Sequence, residues 1–447
     1  MKIAWFTPFS EQSAIGRCSA LVVEQLKRFA EVDIWHPKSE NLRASTVRTV
    51  RIDRPEEIVP ANLAGYDLLV YNFGNYLPFH KDIFEISQRS PGIAILHDFV
   101  YHHFFAQYWL TYRNNPEAYK LTMERRYGQA GRREAESSLA RKNPVLWETD
   151  RVVDYPLFED IIGRMYGVVV HSNFFAEKVR ACYPGPVTRL PLPYDIPQTP
   201  VTLTRADLSV PEGSILLVTI GHLNPNKLVH QIIEVLGRNR DRLKEIFYVA
   251  VGPCDPAYQE RLQALVTQFD LRAKVRLTGY ATDELLTAYV SHADVCINLR
   301  HPSFEGASAS VIEEMLHGKP VIVTNGAFCS ELPDDCVLKI RPGQEAEELP
   351  NALHRLIGDG AARSRLGANA RNYAREQFHA ERYVRELLPF IREVREGIPL
   401  LQLTDRIAVE LNHMGATAGM DIVQSISRHM DELFSPPRTG LTDRTPI

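Results

Sequence analysis

The sequence predicts an α/β protein of two tandem Rossmann-like, parallel-sheet domains facing a cleft, with a helical insertion and a helical C-terminal segment. Three observations predict it. Apolar runs rich in Val, Ile and Leu alternate with segments of helical periodicity through residues 1–385. The alternation halts at a proline-rich stretch, "LPLPYDIPQTP" at 190–200, and then restarts. The 447 residues suit two large domains or three small ones, at ~150 residues per domain.

In the first half, "KIAWFTPF" reads as a strand and "GRCSALVVEQLKRFA" as a helix, with Leu21, Val22, Leu26 and Phe29 at helical spacing. "EVDIWH", "YDLLVYNFG" and "GIAILHDF" are further strands. "YGVVVHSNFFAEKVRACY" begins as a strand and passes into a helix through the cap candidates Ser172 and Asn173. These runs are apolar on both faces, as strands of a buried parallel sheet must be. A helical insertion spans about 101–165, with an aromatic segment followed by the basic "RRYGQAGRREAESSLARK". It reads either as a solvated helical face or as an acceptor-side surface drawn to anionic lipid or phosphate.

After the proline-rich linker, "SILLVTIG", "FYVAVGP", "KVRLTGY", "DVCINL" and "PVIVT" read as strands. The helices "KLVHQIIEVLGR", "AYQERLQALVTQF", "DELLTAYVSHA" and the one in "ASASVIEEMLHG" separate them. Beyond Pro342 the chain reads as helical, with a further helix around "GMDIVQSISRHMDELF". The expected divisions are a first domain at 1–195, a second at 200–385 and C-terminal helices at 386–434 that pack back on the first domain. The tail at 435–447 lacks apolar periodicity and is expected to be disordered.

Composition narrows the function. The chain is 45% hydrophobic and 24% charged with a formal net charge of -4, so no basic excess points to nucleic acid. Cys18, Cys182, Cys254, Cys296, Cys329 and Cys336 form no CxxC pair and no zinc spacing, and are expected to be reduced, buried thiols of a cytoplasmic protein. The opening "MKIAWFTPF" is already a strand, so no signal peptide is expected, and no run of 18 apolar residues is present to span a membrane. His102 and His103 have no acidic partner at ligand spacing, and no metal or other cofactor is expected.

Four strand-end segments carry chemistry. In "HPSFEGASASVIEEMLHG", Glu305 and Glu313 flank Gly306, Ala307 and Ser308 at a helix start. Small residues there let a ligand approach the backbone, whose free N–H groups favour an anion. An acid beside them suits sugar hydroxyls, and a second acid in the helix suits a vicinal diol. Ser310 and Glu313 also make the S-x-x-E of a capping box, which would explain Glu313 locally. In "TIGHLNPNKLVHQII", His222 and Lys227 follow Gly221 on a loop where a cation neutralises a pyrophosphate, although a turn with a surface lysine reads equally well. Gly16 stands just before the first helix, a weak form of a phosphate-binding glycine turn. His97 and Asp98 end an apolar strand, and His171 a second one.

Together these residues resemble the family-4 retaining glycosyltransferases of GT-B architecture. The carriers are the E-x7-E of Glu305 and Glu313, "GHLNPNK" at 221–227, "IG" at 15–16, "HD" at 97–98 and "GKPVIVTNGAFCSELP". Asn298, Leu299, Arg300 and Pro302 are similar to a subgroup with "INLR-P" before the acid loop. The resemblance covers roughly 1–385 and is most specific in the second half. It implies sugar transfer from a UDP-, GDP-, ADP- or dTDP-sugar to a glycan, a lipid-linked saccharide or a small molecule, without a metal. Glu305 with the amides of Gly306, Ala307 and Ser308 would hold donor sugar and phosphate, and Glu313 the ribose. Lys227 would bind the diphosphate, helped by Arg300 or His222 beside Gly221. Gly16 would close on the phosphates and His97 would lie near the sugar. The sequence departs from the family where His222 replaces an arginine and where Phe304 precedes the acid. A sugar-nucleotide epimerase, a phosphorylase and a non-catalytic subunit of a glycan-assembly complex are the alternatives. A peripheral contact at the inner face of a membrane, through 101–145, completes the expectations, with no oligomeric state implied.

Overall fold

The computed structural model describes residues 1–434 except 40, 141–143, 197–199, 244, 304 and 418, and leaves aside the side chains of 405 and 431–434. Phe304, parts of the linker and basic segment, and the tail at 435–447 therefore lie outside the described residues. Residues Met1–Arg392 form one compact unit and Glu393–Ile447 a second.

The first unit holds two sheets. The strands of the first are β1 (Lys2–Phe6), β2 (Glu31–Pro37), β3 (Thr49–Ile52), β4 (Leu68–Phe73), β5 (Ile93–Leu96), β6 (Gly167–Val170) and β7 (Val187–Arg189). They are all parallel, in the order β3-β2-β1-β4-β5-β6-β7. The second sheet comprises β8 (Ile215–Ile220), β9 (Ile246–Val251), β10 (Val275–Leu277), β11 (Val295–Asn298), β12 (Val321–Thr324) and β13 (Leu338–Ile340). It is also parallel, in the order β10-β9-β8-β11-β12-β13. Both orders start at a central strand, grow to one side and then reverse, which is the doubly wound pattern. The central runs are sealed on both faces, as in "VVV" of β6 and "FYVAV" of β9. Each such side chain contributes roughly 1.5–3 kcal/mol on burial, so the central strands form the rigid frame that carries the loops.

The central strands and the helices between them fall where the apolar runs place them. Three strands were not anticipated: β3 "TVRI", β7 "VTR" and β13 "LKI". All three are sheet edges of three or four residues carrying a charge, too short for a period and polar because one side faces solvent. Two other expectations are corrected. Phe29 lies beyond the end of its helix, Ala14–Leu26, and is 61% exposed. Cys182 is exposed rather than buried, and Cys254 is only half-buried.

The insertion is helical, with its main helix at Pro116–Leu139 broken at Gly128, whose φ of 63° suits glycine alone. His102 anchors it: its Nε2 lies 2.7 Å from the Tyr119 hydroxyl and its Nδ1 2.8 Å from the Tyr155 carbonyl. Several arginines of the insertion, three of them in the basic segment, pair with carboxylates of the insertion itself. Arg125 and Arg126 meet Asp160, Arg132 meets Glu117, Glu124 and Glu136, and Arg151 meets Glu134. The helix Ala380–His413 begins in the first unit, where the Tyr383 ring centroid lies 6.3 Å from that of His171. The second unit holds the rest of that helix and the helix Asp421–Phe434. Among the described residues no helix is long and apolar enough to cross a membrane.

The carboxyl ends of β8, β9 and β10 are locked by glycines. Gly252 follows β9 with φ at 142°, donates its N–H to Gly279 O at 3.1 Å, and would place a Cβ 2.1 Å from Gly221 O. Gly252→Ala should therefore destabilise the protein by about 2 kcal/mol, through left-handed strain and a backbone clash. The readout is the urea midpoint, and an unchanged or raised midpoint would contradict the strain.

Candidate functional site

The neighbours β8 and β11 are the switch point of the second sheet, where the order reverses and the carboxyl ends leave a crevice. Two loops fill its rim. One is 221–227 after β8, and the other is 299–308 after β11. They are tied together: His301 N donates to Asn226 O at 2.9 Å, and Asn226 Nδ2 donates to Pro302 O at 2.6 Å. Gly221 has φ at 101°, and a Cβ there would sit 2.7 Å from Lys227 Nζ, so a side chain would displace the ammonium. Lys227 is buried and donates to the Ile220 carbonyl. His222 is exposed on the same loop.

Arg300 is also buried, at 7% exposure. Its Nη2 pairs with Glu305 Oε1 at 3.0 Å, while its Nε and Nη1 have no partner among the described residues. Leaving a buried donor unmade costs about 1–3 kcal/mol, more for a charged group. Two buried cations, with Glu305 and Glu314 as their acidic neighbours and two guanidinium nitrogens to spare, have the chemistry of an oxyanion site. Burial, with Arg300 as the next cause, pulls the Lys227 ammonium well below the usual lysine range.

The helix Ala309–Leu316 follows. Its N-cap is Ser308, and no side chain caps its first turn. The expected capping box is thus not formed. Ser310 already lies inside the helix and accepts from Asn298 Nδ2 at 2.9 Å, while Glu313 points away to Tyr194. The helix stops at a C′ glycine, Gly318, with φ at 70°. Glu313 Oε2 accepts from the Tyr194 hydroxyl at 2.7 Å, and Arg17 stacks over that ring at 4.8 Å. Burial raises the Glu313 carboxyl. Glu314, not foreseen, is fully buried, is raised by that burial, and accepts from Asn298 Nδ2 at 3.2 Å on each oxygen. The only sequence signal for it is its place in an apolar helix, where an outward carboxylate reads as well.

The first half meets this loop at the end of β5. Gly306 N donates to His97 O at 3.2 Å, and Asp98 and Glu305 form a backbone bridge. A Cβ at Gly306 would stand 2.7 Å from His97 O, which explains the glycine. Ala307 and Ser308 complete the small stretch beside it. Burial raises the Asp98 carboxyl to about 6, with Glu305 adding to the rise. The His97 ring itself is occupied. Its Nε2 lies 3.1 Å from Asn72 Oδ1 and its Nδ1 3.3 Å from His171 Nε2, whose Nδ1 lies 2.9 Å from Leu190 O. The three links need three protons, and two neutral rings carry two. Burial holds both rings below the ordinary histidine value. Two further contacts join the halves. Glu331 accepts from the amides of Asn173 at 2.9 Å and Phe174 at 2.8 Å, and His301 lies 3.0 Å from Asp150.

The structure thus gathers Gly221, His222, Lys227, Arg300, Glu305, Gly306, Ala307 and Ser308 at one switch point. His97 reaches it through its carbonyl. Gly16 is corrected: it lies inside the first turn of its helix, not before it, and its N–H is taken by Ser13 Oγ at 3.0 Å. A Cβ there would meet Pro8 O at 2.4 Å, so close packing explains this glycine. Tyr194 and Glu331 were missed because nothing local marks them. Among the described residues no group of three or more His, Cys, Asp or Glu could hold a metal ion.

Residues 201–373 match the family described as Glycosyl transferases group 1. No curated protein matches. Solved structures are similar over most of the chain. The sucrose-phosphate synthase from Thermosynechococcus elongatus is 19% identical, with a TM-score of 0.61 over 88% of this chain and 99% of that one. Anabaena HepE in complex with UDP and glucose is 16% identical, with a TM-score of 0.59 over 88% and 100%. WaaG, a glycosyltransferase involved in lipopolysaccharide biosynthesis, is 16% identical, with a TM-score of 0.56 over 88% and 99%. The architecture shared with these structures is the GT-B fold.

The depressed Lys227 value has a consequence for stability. The unfolded chain holds that proton more tightly than the native one, so the Lys227 contribution to stability rises as pH climbs toward ~10.4, while Glu314, raised to about 8, contributes the opposite slope below that value. Lys227→Met should lack this rise and, without ligand, be the more stable protein at about pH 7. Chemical denaturation at about pH 7 and about pH 9.5 reads both effects. A variant less stable than wild type at the lower pH would contradict the burial penalty.

Proposed function

We propose that this protein is a glycosyltransferase that moves a sugar from a nucleoside diphosphate sugar to an acceptor hydroxyl with retention at the anomeric carbon. The observation that carries the reading is the buried Arg300 beside Lys227, with Nε and Nη1 unpartnered at the switch point. The leaving diphosphate would take those donors and the uncapped first turn of the helix after Ser308. Fixed cations in a dry crevice stabilise charge as it develops on the departing phosphate. They do so in the place where other transferases use a divalent ion, so the transfer is read as metal-independent. Glu305, held by Arg300, would accept from the sugar hydroxyls.

In the proposed step the acceptor oxygen bonds to the anomeric carbon on the face that the phosphate leaves. The C–O bond to the phosphate breaks, its electron pair goes to the diphosphate, and the acceptor proton passes to that phosphate oxygen. Contacts of Gly306 with His97 and of Glu331 with Asn173 and Phe174 would keep the halves closed during transfer. Glu313 would serve the ribose after exchanging or sharing its bond to Tyr194. The base would be read near Leu277–Tyr280, where Tyr280 is 76% exposed.

Support comes from the family match, which contains every second-half site residue, and from HepE, whose structure holds UDP and glucose. The intact cluster favours an enzyme over a non-catalytic subunit. The internally paired arginines of the insertion favour a solvated face over a lipid-facing one.

In a thermal-shift screen with UDP, GDP, ADP and dTDP, one nucleotide should raise the midpoint, because a ligand of the native state stabilises it. Arg300→Ala should cancel that shift. Glu305→Ala should lower transfer from the matching sugar nucleotide by well over tenfold, the scale of one lost transition-state contact. No shift with any of the four, or wild-type turnover by Glu305→Ala, would sink the proposal.

A further inference from the structure

The C-terminal helices form no core of their own. Among the described residues the last buried side chain is Val394, and none from 395 to 430 is buried. Yet both helices carry an apolar stripe. On the helix Ala380–His413 it runs through Leu400, Leu403, Ile407, Leu411 and Met414, and on Asp421–Phe434 through Ile422, Ile426 and Met430. Steps of three and four residues are the spacing by which one helix packs on another. The stripes meet in a groove of about 610 Å3 that lies wholly within the second unit. Of its lining residues, Val409 is 51% exposed, Met414 72% and Ile422 48%.

About 40 residues without a core need a disulfide, a metal or a second chain to stay folded. The unit has no cysteine, and among the described residues no group could hold a metal ion. The chain's own tail suits the groove poorly, since "SPPRTGLTDRTPI" at 435–447 has three prolines and no apolar periodicity. An anionic membrane surface is disfavoured, because residues 395–434 hold three arginines and no lysine against six acidic residues. A second copy suits the charges of the groove. Arg406 and Glu410 both line it, about one turn apart on one helix. When two such helices cross antiparallel about residue 408, Arg406 of each copy stands opposite Glu410 of the other. The face is then complementary to itself about a twofold axis.

We propose that the groove is a self-association face, on which the C-terminal helices of two chains close as a four-helix bundle with Arg406 of one chain against Glu410 of the other. In that bundle each apolar stripe leaves water against its counterpart, which gives the short helices the core they lack alone. The inference goes beyond the transferase reading and does not rest on it.

Sedimentation velocity of the full chain over a range of concentrations tests this. Wild type should pass from monomer to dimer as concentration rises. Ile426→Asp should weaken the dimer roughly a hundredfold, because a twofold face loses the apolar group from both copies. Ile426 is not buried in the single chain, so the variant keeps its fold, which circular dichroism checks. Arg406→Glu and Glu410→Arg should each weaken self-association about fivefold, and mixing the two variants should restore wild-type affinity. A chain that stays monomeric at every concentration overturns the proposal. So does a dimer that survives Ile426→Asp, or a pair of charge variants that fails to associate on mixing. Co-sedimentation of the monomer with vesicles of phosphatidylcholine and phosphatidylglycerol would assign the face to a membrane and overturn it as well.

Discussion

Lys227 and Arg300 lie buried side by side where β8 and β11 end, with Glu305 as the nearest carboxylate. Placing two cations out of water is unfavourable, and the half-buried Glu305 and the fully buried Glu314 compensate it only in part. The surrounding structure is arranged to hold them there. Gly221 clears room for the ammonium, Gly252 lets β9 close against Gly221, and the Asn226 contacts fasten one loop to the other. A protein that keeps such a pair in its interior gives up stability that an anion would restore on binding. This trade gives the site its chemical meaning.

The same constraint reaches the first half. The acid loop that supplies Glu305 turns back at Gly306, and that turn rests on the His97 carbonyl. Glu331 caps a helix of the opposite half, and Tyr194 carries a hydrogen bond from the linker to Glu313. Each contact crosses between sheets that have separate cores. Apolar contact adds to them, since Cys18 of the first helix packs in the buried cluster of the second sheet, and residues Met1–Arg392 form one compact unit.

The central strands were legible because burial on both faces writes a continuous apolar run into the sequence. The edges β3, β7 and β13 were not, since three or four half-solvated residues carry no period. Within the site, Glu305, Lys227 and the small residues after the acid stood out by type and spacing. The burial of Lys227 did not. Nor did Tyr194 paired with Glu313 across 119 positions, or Glu331 with Asn173 across 158. Local pattern was also misleading at two places. The S-x-x-E at Ser310 mimics a capping box, yet the helix is capped two residues earlier, at Ser308, and turns Glu313 inward. Gly16 mimics a phosphate turn, yet it is required by the Pro8 carbonyl.

The most direct measurement is a crystal structure with the nucleoside diphosphate that stabilises the protein. The account predicts diphosphate oxygens within about 3 Å of Arg300 Nε or Nη1 and of Lys227 Nζ. A nucleotide bound elsewhere, with both guanidinium nitrogens still unpartnered, would contradict it.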